Sequence, residues 1–405
     1  MSETGSLYIH VPFCIRKCGY CDFYSIEDQD LIPALVKALA GEIRLRTGIS
    51  GKEGSDPEKS LEISTLYFGG GTPSLLPVRA VESILETVHA AYQVRDGVEI
   101  TFEVNPGTLD ASYLADLRRL GINRLSMGAQ SFDGGKLEFL TRIHTVEDSL
   151  KAIEQARKAG FENMGLDLIY GLPGESPADW EKDLETAVRF DPAHLSCYML
   201  TIEPGTPLYS LAEKKQFTPC SPEARARLFL KTSELLEQKG YIHYEISNFS
   251  RGPGNRSRHN SNYWNMTDYQ GLGPSAHSFE RPDHGDPQRS WNVSEVNTYI
   301  RMVEACLLPL EDREILTPAQ QKLERIMLGL RTREGIDIPC FNRDFKEDFC
   351  TKFEKIIPRL EDQGLGKFTD QKPSGEKFGN LHFRLTRDGW TRLDSIVETF
   401  ADRIL

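Results

Sequence analysis

The chain has 405 residues, of which 39 % are hydrophobic and 27 % charged, enough apolar content for a sizeable core and too much for wholesale disorder. Lysine and arginine number 48 against 60 aspartate and glutamate, a net charge of -12. That balance argues against a nucleic-acid binder, which needs a cationic footprint to displace counterions.

Short β-branched or apolar runs recur along the chain, each followed by a helical pattern. Leu7–Val11 leads to a helix near Leu31–Arg46, and Ser64–Phe68 ends in Gly69-Gly70-Gly71-Thr72-Pro73 before a helix near Arg79–Ala91. Val98–Val104 precedes a helix near Leu109–Leu120, and Arg124–Ala129 a helix near Glu147–Ala159. Met164–Tyr170 precedes Ala178–Phe190, and His194–Leu200 precedes Pro222–Gln238. Six β–α units in succession predict parallel strands with helical crossovers. No Gly-x-Gly-x-x-Gly follows the first strand, and the distinctive motifs sit after strand C-termini, where barrels build their sites. The expected fold is therefore α/β, a partial six-stranded TIM-like (β/α) barrel over residues 1–240.

Residues 241–307 form an extension rich in Gly, Asn, Ser and aromatics, with a polar loop from Ser250 to Ser261. Residues 308–405 read as a small α+β, winged-helix-like domain. Its first helix starts at Thr317-Pro318-Ala319-Gln320 and places Leu323, Ile326, Met327 and Leu330 on one face. Leu381, Phe383 and Leu385 alternate as a strand, and a closing helix is expected over Asp388–Ile404.

No run approaches the ~18 apolar residues of a membrane span. Met1–His10 shows no basic region followed by an apolar one, so no signal peptide is expected, and the compartment is expected to be the reducing cytoplasm. Clustered thiols there read as metal ligands or catalytic groups. Three of eight cysteines, Cys14, Cys18 and Cys21, have the spacing Cys-x3-Cys-x2-Cys straight after the first strand. Thiolates favour iron–sulfur clusters, zinc or Cu(I), and zinc would require a fourth ligand that no nearby Cys or His supplies at regular spacing. A structural zinc protein stays open as one reading of the triad. Cys197 reads as core, and the remaining four cysteines show no ligand spacing.

This triad resembles the signature of the radical S-adenosylmethionine (SAM) superfamily. Gly69–Ser74, Glu103-Val104-Asn105-Pro106, Gly128–Phe132, Asp167–Gly174 and Gly271–His277 narrow the resemblance to the oxygen-independent coproporphyrinogen III dehydrogenase-like family. The resemblance implies a [4Fe–4S] cluster on Cys14, Cys18 and Cys21, with an open iron that chelates SAM. It implies SAM contacts at Tyr8, Gly70, Gly71, Thr72 and Glu103, and a second SAM at Tyr20, Gln130, Arg142 and Asp167. Two departures matter. Phe23 stands where the dehydrogenases have a fourth cysteine, and only 13 residues precede Cys14. Both resemble instead the heme chaperone (HemW-like) branch, which binds heme and delivers it to a target protein. That branch carries His-Asn-x-x-Tyr-Trp, matched by His259-Asn260-Ser261-Asn262-Tyr263-Trp264, so His259 is a candidate heme ligand, whereas His277 stands as a further candidate beside the second-SAM positions. The implied partners are heme, SAM and a heme-accepting protein, with a peripheral membrane partner compatible and no nucleic acid. Oxidative decarboxylation of coproporphyrinogen III is the alternative activity, and whether the chain is an enzyme stays open at this level.

Overall fold

Alternation along the strands separates two faces of a sheet. In β1 (Thr4–Val11) Leu7, Ile9 and Val11 are fully buried in the main core, whereas Ser6, Tyr8 and His10 turn to the other side. β2 (Glu62–Gly70) sends Leu66 and Phe68 to the core and Thr65 and Tyr67 inward, and β3 (Gln93–Val104) does the same with Phe102 and Val104 against Thr101 and Glu103. The hydroxyl of Thr65 donates to that of Ser6 at 2.9 Å, which fixes the inner faces of β1 and β2 against each other. The computed structural model describes residues 4–48, 61–282, 285–371 and 380–404.

Helices α1 (Ile32–Thr47), α2 (Val78–Ala91) and α3 (Ala111–Arg119) follow the first three strands. After β4 (Arg124–Gln130) come α4 (Gly134–Phe139) and α5 (Val146–Lys158); after β5 (Met164–Tyr170) comes α6 (Pro177–Arg189). β6 (His194–Met199) is followed by α7 (Pro207–Glu213) and α8 (Pro222–Gln238). Capping boxes at Thr145/Asp148 and Ser176/Asp179 start α5 and α6 by satisfying otherwise orphaned N–H groups. The short helices α4 and α7 have no counterpart in the sequence reading, because each spans fewer than two turns and shows little periodicity. β1 to β6 pair in sequence order and in parallel, which bears out the α/β, partial-barrel expectation.

The chain then adds strands at both edges. β7 (Ile242–Glu245) and β8 (Asn248–Ser250) pair with each other, and β8 lies antiparallel to β6. After α9 (Arg258–Trp264), β9 (Tyr269–Leu272) runs parallel to β1 at the opposite edge. β10 (His277–Glu280), β11 (Gln288–Asn292) and, after α10 (Val296–Glu304), β12 (Leu310–Ile315) extend that edge in antiparallel fashion. The result is one twelve-stranded sheet, β12-β11-β10-β9-β1-β2-β3-β4-β5-β6-β8-β7, which does not close. The link from β8 to β9 carries α9 across the inner side of β1 and β2, where Asn262 donates to Ser6 at 2.8 Å. The expected Ser250–Ser261 loop therefore ends in a helix: Ser257 caps it by accepting from the Asn260 N–H.

A buried carboxylate locks the added edge to the barrel. Glu42 of α1 accepts from Arg46, from Asn292, from the Gly273 N–H and from the Tyr299 hydroxyl.

The C-terminal unit begins at α11 (Pro318–Arg331), whose Thr317/Gln320 capping box forms as the motif predicts. Three antiparallel strands, β13 (Ile336–Asp337), β14 (Gly366–Gln371) and β15 (Asn380–Leu385), pair in the order β13-β15-β14. They enclose a second core around Phe341, Phe349, Phe353, Phe383 and Phe400. The expected Asp388–Ile404 helix is instead two helices, Arg387–Trp390 and Leu393–Ala401. Trp390 holds the break in place: it is buried and its indole N–H donates to the Leu330 carbonyl at 2.9 Å. None of the helices among the described residues is long and apolar enough to cross a membrane.

Candidate functional site

The three cysteines sit in the loop that leaves β1, all partly exposed. Its base is pinned by the Cys14 N–H to the Ile26 carbonyl at 2.9 Å and the Ile26 N–H to the Pro12 carbonyl at 2.7 Å. At its tip the Cys21 N–H donates to the Cys18 carbonyl. Thr72 Oγ1 stands 3.7 Å from the Sγ of Cys14, and Arg142 Nη1 stands 3.4 Å from the Sγ of Cys18. Burial, with the neighbouring thiols, pushes the Cys21 thiol up. Among the described residues no three His, Cys, Asp or Glu side chains converge as the ligands of a single ion do.

The glycine motif after β2 packs against this loop. Gly70 lies at φ 113°, and a Cβ there would sit 2.8 Å from the His10 ring. A Cβ on Gly71 would meet the Phe13 carbonyl oxygen at 2.6 Å, and its N–H donates to the Val11 carbonyl at 2.8 Å. The glycines thus let the end of β2 close on the root of the cysteine loop, which brings Thr72 to Cys14.

The inner face below carries acids and tyrosines. Glu103 accepts from the Tyr67 hydroxyl at 2.7 Å and from the Gly70 N–H at 3.2 Å. Burial nonetheless pushes it up to about 7, with those hydrogen bonds opposing and Asp167 adding to the shift. Asp167 is raised by burial, against hydrogen bonds from Ser196 and Ser126. Tyr8 lies on the same face, its ring 6.0 Å from that of Tyr67, and its hydroxyl donates toward His10 Nδ1 at 3.1 Å. Two buried polar atoms here, Arg142 Nε and Asp167 Oδ1, have no hydrogen-bond partner. Buried orphans of this kind mark places where a polar ligand completes the set.

Tyr20, Gln130 and Arg142 gather beside Cys18. Arg142 Nη2 donates to the Gly128 carbonyl at 3.1 Å, and Arg142 also engages Tyr20. Gln130 adopts φ 65° at a register shift in β4, which turns its amide back over Gly128. Gly71, Thr72 and Arg142 therefore pack on the cysteine loop that carries Tyr20; Gly70 and Gln130 lie next to them, and Tyr8, Glu103 and Asp167 share the inner face of the sheet.

His259 is placed elsewhere. It is 1 % exposed, with Nδ1 2.8 Å from the Thr65 hydroxyl and Nε2 2.9 Å from the Tyr263 hydroxyl. Burial lowers it to about 3, so it is neutral. Both nitrogens are thus bonded inside the sheet rather than turned to the cavity. Tyr263 and Trp264 of the same motif instead line a cavity of about 550 Å³. The cavity adjoins the cysteine loop through Asp22, Phe23 and Tyr24, and is also lined by His10 and His277. Phe23, at the position that departs from the dehydrogenase pattern, is 72 % exposed there. Sequence reasoning missed Tyr67, Tyr24, Met266 and Arg289; only the strand alternation placing Tyr67 beside Thr65 offered a signal.

Residues 8–187 match the radical SAM superfamily and residues 316–374 the HemN C-terminal domain. The chain is 36 % identical over 355 residues to the heme chaperone HemW of Synechocystis sp., covering 84 % of this chain and 81 % of that protein. It is 32 % identical over 363 residues to HemW of Bacillus subtilis, covering 89 % and 92 %. In fold it resembles the radical SAM coproporphyrinogen III oxidase HemN of Escherichia coli, with a TM-score of 0.78 at 24 % identity over 98 % of this chain and 90 % of that one. The identity and coverage of these relatives, with the family match, show that the chain belongs to the HemW heme chaperone family of the radical SAM superfamily.

Proposed function

We propose that this chain holds a [4Fe–4S] cluster on Cys14, Cys18 and Cys21, binds SAM beside it, and carries heme to an acceptor protein in a reducing, cytoplasmic setting. The aromatic cavity next to the cysteine loop carries this reading: Phe23, Tyr24, Tyr263, Trp264 and Tyr269 offer flat apolar surface to a macrocycle. Its charged lining groups are Asp22, Glu324 and Arg289, with Arg289 engaged by Glu324 through two hydrogen bonds of 2.9 and 3.0 Å. Acids outnumber the base, so the cavity suits a ligand that turns its carboxylates to solvent. Heme fits that description better than the tetracarboxylate coproporphyrinogen, and the relatives' names favour the same choice.

When bound, the cluster supplies an open iron for SAM and an electron for its sulfonium. The protein's part is to orient and enclose. Thr72 and Arg142 place donors at two of the sulfurs, Glu103 and Asp167 present buried oxygens, and the glycine turn admits close approach. Asp167 and Arg142 each keep one polar atom free for a ligand.

The test is anaerobic cluster reconstitution of the full chain, followed by heme titration, heme transfer to an apo-acceptor, and a coproporphyrinogen assay. Heme uptake and transfer without porphyrinogen product are expected. Catalytic turnover of coproporphyrinogen without heme uptake overturns the reading.

A further inference from the structure

The Gly271-Leu272-Gly273-Pro274-Ser275-Ala276-His277 motif has no role in the cluster or SAM contacts described above. Its geometry serves one end: it fixes His277. A Cβ on Gly271 would lie 2.2 Å from the His277 carbonyl oxygen, and its N–H donates to the Ser278 hydroxyl at 2.9 Å. Gly273, at φ 99°, passes so close to β1 that a Cβ would meet the His10 carbonyl oxygen at 2.6 Å. Ser275 then adopts φ 61°, and its N–H donates to the Val293 carbonyl at 3.0 Å. This tight turn delivers the chain into β10 with His277 as the first residue of the strand, its ring stacked 5.8 Å from that of Trp291.

Three histidines lie at or near the cavity, and two are occupied. His10 is bonded to the Tyr8 hydroxyl and to the Tyr24 carbonyl, each at 3.1 Å. His259 is bonded to Thr65 and Tyr263. His277 is exposed, lines the cavity, and has no hydrogen-bond partner for its ring among the described residues. Burial and Arg289 lower its basicity, so it is neutral, the form that ligates iron.

The geometry points to His277 as the protein ligand of the heme iron, with the porphyrin seated in the cavity against Phe23, Tyr24, Tyr263 and Trp264. This rests on the heme-binding reading above and names its ligand. An imidazole at the exposed edge of a cavity, held by a rigid turn rather than enclosed, suits a carrier whose cargo is handed on. A competing ligand on the acceptor reaches the iron there without unfolding the site.

The experiment compares the wild-type chain with His277→Ala, His277→Gln and His259→Gln, each titrated with ferric heme and with iron-free protoporphyrin IX and followed by absorption and EPR. Loss of His277 is expected to shift the Soret band and weaken ferric-heme binding by about tenfold or more. Added imidazole restores the wild-type spectrum in His277→Ala. Iron-free protoporphyrin binds both His277 variants as it binds wild type, which separates ligation from packing or misfolding. His259→Gln keeps the wild-type heme spectrum. A wild-type spectrum and affinity in both His277 variants overturns the assignment and leaves heme binding standing, as does loss of the spectrum in His259→Gln alone. Failure of the wild-type chain to take up either porphyrin overturns both.

Discussion

Arg142 and Cys18 are 124 residues apart in sequence, yet the guanidinium Nη1 lies 3.4 Å from the thiol sulfur. The same guanidinium reaches the Gly128 carbonyl through Nη2, and its planar fork is what allows both contacts at once. A lysine presents a point charge and keeps one of them. Arg142→Lys is therefore expected to reduce SAM affinity of the reconstituted chain by about tenfold while leaving the fold intact, since a hydrogen bond to a charged group contributes roughly 1.5–3 kcal/mol. Calorimetric titration with SAM and far-ultraviolet circular dichroism check the two halves of that statement.

Glu103 titrates near pH 7 because burial disfavours its charge more than Tyr67 and Gly70 favour it. The folded chain thus holds this proton more tightly than the unfolded one. Stability from the group is present in full below the ordinary carboxylate range and is lost as pH rises through about 7, on the order of 3 kcal/mol at most for the shift from 4.5. SAM engaged by the ionised carboxylate binds in the opposite sense, more tightly as pH rises through the same range. Glu103→Gln should flatten both profiles. A SAM affinity that stays level from pH 6 to 8 in the wild type, on the order of one unit either side of that value, removes Glu103 from the contact.

Gly71 tests how the cysteine loop is seated. A methyl group there runs into the Phe13 backbone, which cannot swing away as a side chain does. Gly71→Ala should cost about 1–3 kcal/mol in urea denaturation and lower the iron retained after reconstitution. Full iron content in a variant of wild-type stability contradicts the packing role.

Glu42 holds α1 to the edge strands through four donors. Truncation leaves Arg46 and the Tyr299 hydroxyl without their buried acceptor. Glu42→Ala is expected to destabilise the chain by roughly 3–5 kcal/mol, read as a lower urea midpoint. Glu42→Gln recovers part of the loss, because its amide oxygen still accepts.

Much of the barrel is legible from neighbouring residues. Leu7, Ile9 and Val11 alternate with Ser6, Tyr8 and His10, and the helical patterns after each strand repeat six times, so β1 to β6 and their main crossovers follow from local periodicity. α4, α7 and α9 were hidden because one or two turns hold too few residues to show a period. The edges were hidden for another reason. β8 pairs with β6, but β9, which begins 19 residues after β8 ends, pairs with β1 at the other side of the sheet. No local pattern encodes which edge a strand of four residues will find.

The candidate site divides along the same line. Cys14, Cys18 and Cys21 lie within one loop, and their spacing alone constrains what they bind. Arg142, Asp167 and Glu103 joined them through motif positions, and the parallel strand order then brought them to one face. His259 was marked by its motif, and the structure adds what the motif does not encode, that its nitrogens bond Thr65 and Tyr263. His277 was marked by a motif too, and only the tertiary structure shows its side chain exposed at the cavity. The amino-acid sequence by itself thus determined the β–α repeat, the cysteine triad and the family resemblance, because each depends on spacing over a few residues. Tertiary structure alone decided which edge each added strand joins, which imidazole is satisfied and where the aromatic cavity opens, because those depend on contacts between segments far apart in the chain.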